Sequence, residues 1–600
     1  MARRTRPSAG PDASGEASDV SGPPPTLPAA PATPAPRRFR RPRRVLGAFA
    51  LAAVAVLAPA QFPASAQSPD AAPARGRTGP CEGPVRPASQ MAVAPCDSPA
   101  RIIDKAAHIV PTKGQLAWQE REVTAFTHFG MNTFTGREWG SGAEDEKLFA
   151  PSRIDVGQWM REYKAAGAEQ VMLTAKHHDG FVLYPSRYSP HTVEASPGRP
   201  DVVGAYVKAA RKAGLKVGIY LSPSDGAELP HAWHARWVDE IREKQQEGKP
   251  LSLPEQVALA DGGRAPRGLG RFGNGSRATA RTIPTLVPGD DRAAAVRSGE
   301  LPVFHVRADD YDAYYLNQVY ELFTQYGPID ELWLDGANPW TDSGITQPYD
   351  AAQWFRMIHQ LSPGTVVFAG PQGARWVGNE KGIARETEWS VTPSAQDPWT
   401  VMAGGLPNDS TDPDIGSRAK LLAPTTEYLQ WYPAEADVSL RPGWFHHPGE
   451  RPKTPAQLMD LYEKSVGRNA SLLLNVPPAK DGRIAPEDVA SLTAFGAAVR
   501  ATYGHSACAA ARPCTFDRIA VAEDTRHGQR VERFAVQARR DGVWRQVAEG
   551  TTIGHRRILA LPRPVTADAV RVTVLAARGR PYVAPPSLHL SRTAAGARGR

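Results

Sequence analysis

From about residue 115, short apolar runs alternate with segments whose apolar residues recur every three or four positions. Behind Asp155, a residue type that caps helix N-termini, the stretch from Val156 to Tyr163 has this helical period. Five apolar runs predict strands: Val123–His128, Gln170–Ala175, Lys216–Leu221, Glu331–Leu334 and Thr365–Ala369. The repeated β-α-β order predicts a parallel sheet, and the segment is long enough for a TIM-type (β/α)8 barrel.

Two features leave this architecture open. A doubly wound open sheet has the same alternation of strands and helices, although no G-x-G-x-x-G motif follows the first strand. Residues 225–308 interrupt the alternation with a stretch rich in Gly, Arg and Pro. This insert is either a long active-site loop or a disordered segment.

After about residue 505 the pattern changes to a strand-like alternation. Val570, Val572 and Val574 share one face of a strand, and Asp541-Gly542 is a hairpin-turn signal. These features predict an all-β sandwich module at residues 505–593, followed by a tail at 594–600. We expect the barrel domain at residues 101–504, after a Pro/Ala-rich linker at residues 67–100.

Residues 1–66 carry nine arginines and three acidic residues, and therefore most of the chain's net charge of +9. The small remaining charge argues against a nucleic-acid partner. Arginines precede the apolar run Val45–Ala58, and Ala64-Ser65-Ala66 follows as a cleavage site. We predict a signal peptide with an extended basic n-region, export by the Sec or twin-arginine route, and no membrane span after cleavage. The alternative is an uncleaved anchor, but 14 residues are short for a membrane span.

Four cysteines follow this leader and form two pairs that are close in sequence. In an exported protein this arrangement predicts local disulfides, Cys81 with Cys96 and Cys508 with Cys514. A zinc site is the alternative, although the cysteines lack the C-x-x-C spacing and a nearby group of histidines.

Polar residues follow the predicted strands at the end where barrels place their chemistry. His128 ends the first strand, and His177 and His178 follow the second. Tyr220 lies near the end of the third strand, and Asp335 ends the fourth. Because the C-terminal ends of barrel strands meet at one face, these residues predict a shared site.

Tryptophans are frequent in the same regions, which suits the apolar faces of sugar rings. Hydrolysis of a glycosidic bond requires two carboxyl groups, and Asp335 is one candidate. The candidates for the second are Glu380, Glu386, Glu388, Glu427 and Glu435. Spacing alone does not choose among them.

Six segments have a recognisable pattern: FTHFGMNTFT at 126–135, REWG at 137–140, LTAKHHDGF at 173–181, GLKVGIY at 214–220, LWLDGA at 332–337 and LLLNVPP at 472–478. Together they make residues 115–480 resemble family 29 of the glycoside hydrolases, the α-L-fucosidases. The resemblance implies a barrel enzyme without a cofactor or metal. It also implies a retaining double displacement on fucosylated oligosaccharides or glycoconjugates.

The same resemblance assigns roles to individual residues. Asp335 matches the nucleophile of the family. The positions that match sugar-binding residues are His128, Glu138, Trp139, His177, His178, Tyr220 and Trp389. WVGNE at 376–380 and TEWSV at 387–391 resemble the subfamily that cleaves α-1,3 and α-1,4 fucosyl branches, which implies Glu380 as acid/base. GQRVERF at 528–534 and EGTTIG at 549–554 resemble the discoidin-like C-terminal module of that subfamily.

Two other classes remain as alternatives. A metal-dependent barrel hydrolase would use His128, His177, His178 and Asp179 as ligands. Adjacent residues on a strand point to opposite faces, so His177 and His178 would need a turn to reach one ion. A non-catalytic fucose-binding protein would keep the histidines and tryptophans but lack a catalytic carboxylate.

Overall fold

The structure, a computed structural model, describes residues 81–272, 277–336, 338–405, 412–508 and 513–591. The predicted signal peptide, the first part of the predicted linker and the predicted tail lie outside the described residues. No helix of the described residues is both long and apolar enough to cross a membrane.

Eight parallel strands form a barrel: β1 (Val123–Thr127), β2 (Gln170–Lys176), β3 (Lys216–Leu221), β4 (Glu331–Trp333), β5 (Val366–Phe368), β6 (Arg375–Trp376), β7 (Ala434–Ser439) and β8 (Ala470–Asn475). Their order is β5-β4-β3-β2-β1-β8-β7-β6, and every pair is parallel. A parallel bridge between Phe368 and Ala374 brings the two ends of the sheet together. The predicted barrel is confirmed, and the open doubly wound sheet was the wrong alternative.

Helices of the described residues span Pro99–Ala107, Lys113–Glu120, Met131–Thr135, Val156–Ala166, Val202–Lys212, His231–Gln246, Leu253–Ala260, Ala293–Ser298, Asp310–Gln325, Ala351–Leu361, Arg418–Leu421, Pro455–Lys464 and Pro486–Tyr503. The expected cap is present, because the Asp155 side chain accepts a hydrogen bond from Gln158 N. Gly167, in the left-handed region at φ 95°, ends that helix.

The insert between β3 and β4 is folded in its described part. It contains three of the helices above and an antiparallel pair of strands, Thr279–Ile283 and Phe304–Ala308. Phe272 and Ile283 have no exposed surface and belong to the core of the barrel domain. The prediction of a disordered insert is therefore wrong for these residues, because its scattered apolar side chains reach the core.

The predicted linker at 67–100 is too long. Residues Gln90–Ala92 form a strand that pairs with Tyr428–Trp431, and Cys96 is bonded to Cys81 with the two Cα atoms 5.9 Å apart. Met91 and Val93 pack against a buried cluster that includes Trp431. The Pro/Ala-rich composition hid these few apolar contacts, which attach residues 81–100 to the barrel domain.

The C-terminal module contains β9 (Cys514–Val521), β10 (Val531–Arg540), β11 (Val543–Gly550), β12 (Arg557–Ala567), β13 (Ala569–Ala577) and β14 (Ser587–His589). These strands form two antiparallel sheets in the orders β12-β9-β14 and β11-β10-β13. Phe516 and Phe534 are fully buried in the shared core, as expected for a sandwich. Cys508 and Cys514 are joined at the entrance to β9, with Cα atoms 5.3 Å apart.

Candidate active site

Two adjoining chambers lie where the barrel strands end. The polar chamber, about 90 Å³, is lined by Phe126, His128, Glu138, Trp139, His177, His178, Tyr220 and Trp444. The apolar chamber, about 300 Å³, is lined by Gly336, Phe368, Ala369, Arg375, Trp376, Met402, Ala403 and Tyr432. Four residues line both chambers: Trp333, Asp335, Glu380 and Asp437. The structure therefore brings together every predicted site residue except Trp389.

Asp335 lies just beyond β4 and is oriented by two neighbours. The Tyr220 hydroxyl donates to Asp335 Oδ2 at 3.0 Å, and His178 Nε2 lies 3.3 Å from the same oxygen. Burial raises the pKa of Tyr220, and the negative charge of Asp335 raises it further. Tyr220 therefore keeps its proton and remains a hydrogen-bond donor to the carboxylate.

A tight turn after β2 directs both adjacent histidines into the chamber. Gly180 has φ 80°, and its N–H donates to the His177 carbonyl at 2.9 Å. A side chain on Gly180 would clash with the Asp225 carboxylate. The ring centroids of His177 and His178 are 4.3 Å apart, so the turn overcomes the opposite orientation of successive strand residues.

His128 is held in one tautomer by Asn475 at the end of β8. The Asn475 side-chain N–H₂ donates to Ser439 Oγ and to the Trp444 carbonyl, so its Oδ1 is the acceptor facing His128. His128 Nδ1 lies 2.9 Å from that oxygen and must carry the proton. Burial lowers the pKa of His128 to about 3. The ring is therefore neutral, and Nε2 is an acceptor for a donor in the chamber.

Glu138 and Trp139 also line the polar chamber, and both are held by neighbouring side chains or backbone. Trp444 N donates to Glu138 Oε2 at 2.7 Å, and the His447 ring makes a short contact with Oε1. The Trp139 ring stacks on His178 with centroids 4.1 Å apart. These contacts fix the position of the wall.

The structure distinguishes the five glutamate candidates. Glu380, in the loop after β6, is the one of the five that lines the two chambers. Glu386 pairs with Arg468 and Arg557, and Glu388 is buried against arginines. Glu427 is exposed, and Glu435 accepts a hydrogen bond from Trp333 Nε1 inside the barrel.

The carboxyl group of Glu380 is in an environment that favours its protonated form. More than a third of the residue is exposed, yet the walls of the cleft remove enough water to raise its pKa. The negative charges of Asp335 and Glu138 raise this pKa further, and a hydrogen bond with Trp444 partly opposes them. Glu380 and Asp335 thus differ in their surroundings.

Asp437 is a carboxyl group of the site that sequence reasoning missed. It lies on β7, accepts a hydrogen bond from Trp376 Nε1 at 2.8 Å, and is 4% exposed. Burial raises its pKa to about 8, with contributions from Glu380 and Asp335. The signal was present, because Glu435 and Asp437 are two residues apart on a short, fully buried strand and therefore share one of its faces.

Trp389, for which the resemblance implies a sugar contact, is the predicted sugar-binding residue that lines neither chamber. It lies away from both chambers, is 2% exposed, and packs beneath the guanidinium group of Arg578 from the C-terminal module, 3.7 Å from the ring centroid. The TEWSV segment therefore belongs to the contact between barrel and module.

Of the four residues of the metal hypothesis, His128, His177 and His178 line the polar chamber, but Asp179 does not. Asp179 Oδ1 accepts a hydrogen bond from Phe181 N at 2.7 Å, and Asp179 lines neither chamber. Across the described parts of the chain, no group of three or more His, Cys, Asp or Glu side chains is arranged to hold a metal ion.

Carboxyl groups in unequal environments at the strand ends of a barrel are the arrangement that a glycoside hydrolase requires. Comparison with known proteins gives the family. A sequence model of α-L-fucosidase matches residues 110–502. Alpha-L-fucosidase 1 of Arabidopsis thaliana is 30% identical over 537 residues, which cover 80% of this chain and 88% of that protein.

Solved structures agree with this match. A glycoside hydrolase 29 family member from an unknown rumen bacterium has a TM-score of 0.58 and 32% identity, covering 80% of this chain and 77% of that one. A glycoside hydrolase 29 fucosidase of Ruminococcus gnavus in complex with fucose has a TM-score of 0.59 and 26% identity, covering 80% and 95%. The chain belongs to the α-L-fucosidase family, family 29 of the glycoside hydrolases.

Proposed function

We propose that this α-L-fucosidase is a retaining enzyme in which Asp335 is the nucleophile and Glu380 the acid/base. The observation that carries the proposal is that these two carboxyl groups line both chambers. The third, Asp437, accepts a hydrogen bond from Trp376 in the wall, and its pKa of about 8 leaves it without the negative charge that a nucleophile needs at moderate pH. A retaining mechanism needs two carboxyl groups about 5–5.5 Å apart on the two sides of the scissile bond.

The polar chamber suits a fucose ring, and the Ruminococcus gnavus relative is a fucose complex. Fucose has hydroxyl groups on one side and an apolar methyl edge. Neutral His128 offers an acceptor to a hydroxyl, and Glu138 offers a carboxylate. The rings of Phe126, Tyr220 and Trp444 cover an apolar edge.

The raised pKa of Glu380 supports its role in the first step, where it protonates the leaving oxygen while Asp335 attacks the anomeric carbon. Formation of the glycosyl-enzyme neutralises Asp335. Because the charge of Asp335 contributes to the raised pKa of Glu380, this pKa then falls. Glu380 becomes a base that accepts a proton from the water that releases fucose.

We propose that the substrates are α-1,3- and α-1,4-linked fucosyl branches of oligosaccharides or glycoconjugates. The similarity of WVGNE at 376–380 to the branch-cleaving subfamily supports this, and the apolar chamber beside Glu380 offers room for a branched leaving group. Trp376 and Phe368 provide flat surfaces there. The test compares kcat/KM for branched α-1,3/1,4 and unbranched α-1,2 substrates. Comparable values would contradict the proposed linkage preference.

The stereochemistry of the product tests the mechanism directly. Proton NMR during the first turnovers is expected to show the α-anomer of fucose, followed by slow mutarotation. The β-anomer as the first product would show an inverting reaction and would reject Asp335 as a covalent nucleophile.

Removal of each carboxyl group tests the two assignments separately. Glu380→Ala is expected to lower activity on natural glycans by about 10²–10⁴-fold, and less with a leaving group that needs little protonation. Azide is expected to attack the β-linked glycosyl-enzyme of this variant and give α-fucosyl azide, whereas in Asp335→Ala azide can only displace the leaving group directly and give β-fucosyl azide. Glu427→Ala, at an exposed glutamate outside the chambers, is the control. Near-normal activity of Glu380→Ala would reject its role.

We also propose that the protein is exported and acts outside the cell. The basic and apolar leader supports this, as do the cysteine pairs Cys81–Cys96 and Cys508–Cys514, because disulfides persist in oxidising compartments. N-terminal sequencing of protein recovered from the medium is expected to begin just after Ala66. Retention of the intact chain inside the cell would contradict export.

A further inference from the structure

The C-terminal module contacts the barrel domain through the backbone of residues 386–390. Gln529, between β9 and β10, has no exposed surface. Its side-chain N–H donates to the Glu388 carbonyl at 3.0 Å, and its Oε1 accepts from Ser390 N at 2.6 Å. One amide thus pairs with two backbone groups in the manner of a neighbouring strand.

Other contacts of the module reach the same segment. The Thr551 hydroxyl lies 2.9 Å from the Thr387 hydroxyl, and Arg557 pairs with Glu386. Arg578 covers the ring of Trp389 and donates to the Gly416 carbonyl at 2.9 Å. The module therefore contacts five consecutive residues of the barrel domain, 386–390.

The side chain of Glu388 points from this segment toward the active site. Its carboxylate pairs with Arg375, which lines the apolar chamber, and accepts from Arg385 N at 3.1 Å. Arg385 Nη1 donates to the Val377 carbonyl at 2.7 Å. Arg375 and Val377 flank Trp376 at the start of the loop that carries Glu380. These contacts link Gln529 to that loop through Glu388.

We propose that the C-terminal module positions the loop of the acid/base through Gln529, so that the module is part of the catalytic apparatus. The inference rests on the proposed role of Glu380. Without Gln529, the Glu388 carbonyl keeps Asn469 as a donor, but Ser390 N loses its acceptor. The segment then shifts to satisfy a buried N–H, and Glu388 and its arginines shift with it. Proton delivery depends on the position of Glu380 within about 1 Å.

The test is Gln529→Met, which keeps the volume of the side chain and removes both hydrogen bonds. Its kcat is compared on two substrates, a branched fucosyl oligosaccharide and an aryl fucoside whose leaving group needs little protonation. We expect a loss of about tenfold or more on the oligosaccharide and less than about twofold on the aryl fucoside. Gln546→Met, at an exposed glutamine of the same module, is the matched control and is expected to change neither.

Glu380→Ala, measured on the same two substrates, separates a failure of the proposed role of Glu380 from a failure of the inference about Gln529. If that variant shows no dependence on the leaving group, the role of Glu380 is wrong and the inference falls with it. If Glu380→Ala shows the dependence and Gln529→Met loses both activities equally, or neither, the inference alone is wrong. Thr551→Val removes a milder contact of the same interface and is expected to give a smaller loss of the same kind. If Gln529→Met folds poorly, Thr551→Val takes its place, and the same results on the two substrates support or contradict the inference.

Discussion

Lys176 and Asp225 form an ion pair in the barrel wall beside the histidine turn. Their side chains have no exposed surface, and Lys176 Nζ lies 2.8 Å from Asp225 Oδ2. Lys176→Met preserves the length of the side chain but leaves a buried carboxylate without its countercharge. Because Lys176 directly precedes His177 and Asp225 packs against Gly180, the same change loosens the turn that carries both histidines.

The size of the effect follows from the partners that Asp225 keeps. Removal of one member of a buried ion pair costs about 3–5 kcal/mol. Asp225 retains the Tyr314 hydroxyl at 3.0 Å and Glu228 N at 3.2 Å. We therefore expect the lower end, a decrease of about 3 kcal/mol in the free energy of unfolding. We also expect kcat/KM to fall by about tenfold or more, because the histidines are displaced.

Equilibrium denaturation of Lys176→Met, Asp225→Asn and the double variant measures the coupling. The double variant removes both charges, so its loss is expected to be smaller than the sum of the single losses by about 2 kcal/mol. Lys176→Arg is the control that keeps a positive charge. A cost below about 1 kcal/mol for Lys176→Met, or strict additivity in the double variant, would refute the reasoning.

Three further predictions concern protonation and covalent structure. Asp437→Asn imitates the neutral acid that a pKa of about 8 implies, so the activity of this variant at pH 6 is expected to stay within about tenfold of wild type. A loss of about a hundredfold or more, the size expected for a general acid or base, would contradict this. Burial raises the pKa values of Asp179 and Asp312 to about 7. Together with Asp437, these groups hold protons in the folded state that the unfolded chain releases near pH 4. The denaturant concentration at the midpoint of unfolding is therefore expected to decrease as the pH rises from 5 to 8, and an increase would overturn this assignment. Alkylation and mass measurement of native, non-reduced protein is expected to find no free thiol at Cys508 or Cys514, and labelling of either would disprove the bond.

The barrel and half of its site were predictable because the relevant residues are local to their strands. His128, Tyr220 and Asp335 lie at or just beyond the ends of β1, β3 and β4. In a parallel barrel these ends meet at one face, so a strand pattern and a polar residue at its end suffice. The predicted linker failed for the opposite reason. Its few apolar residues gain a partner only when residues 428–431, far along the chain, lie beside them.

The choice among carboxyl groups needed long-range contacts. Glu388 and Glu380 are eight positions apart, yet Glu388 is neutralised by Arg375 and Glu380 faces the chambers. Asp437 acquires its raised pKa from burial and from neighbours that lie about 60 and 100 residues away. Such environments depend on the position of the whole loop, which no local pattern contains.

By itself, the sequence determined the alternation that forms the barrel, the strand-end residues of the polar chamber and the α-L-fucosidase resemblance. Strand and helix periods are local properties, and parallel strands align their own ends. Only the tertiary structure decided that Glu380 lines the chambers, that Asp437 joins it there, and that Trp389 packs against Arg578 of the C-terminal module. Burial and charge pairing belong to the assembled chain, because residues distant in sequence supply them.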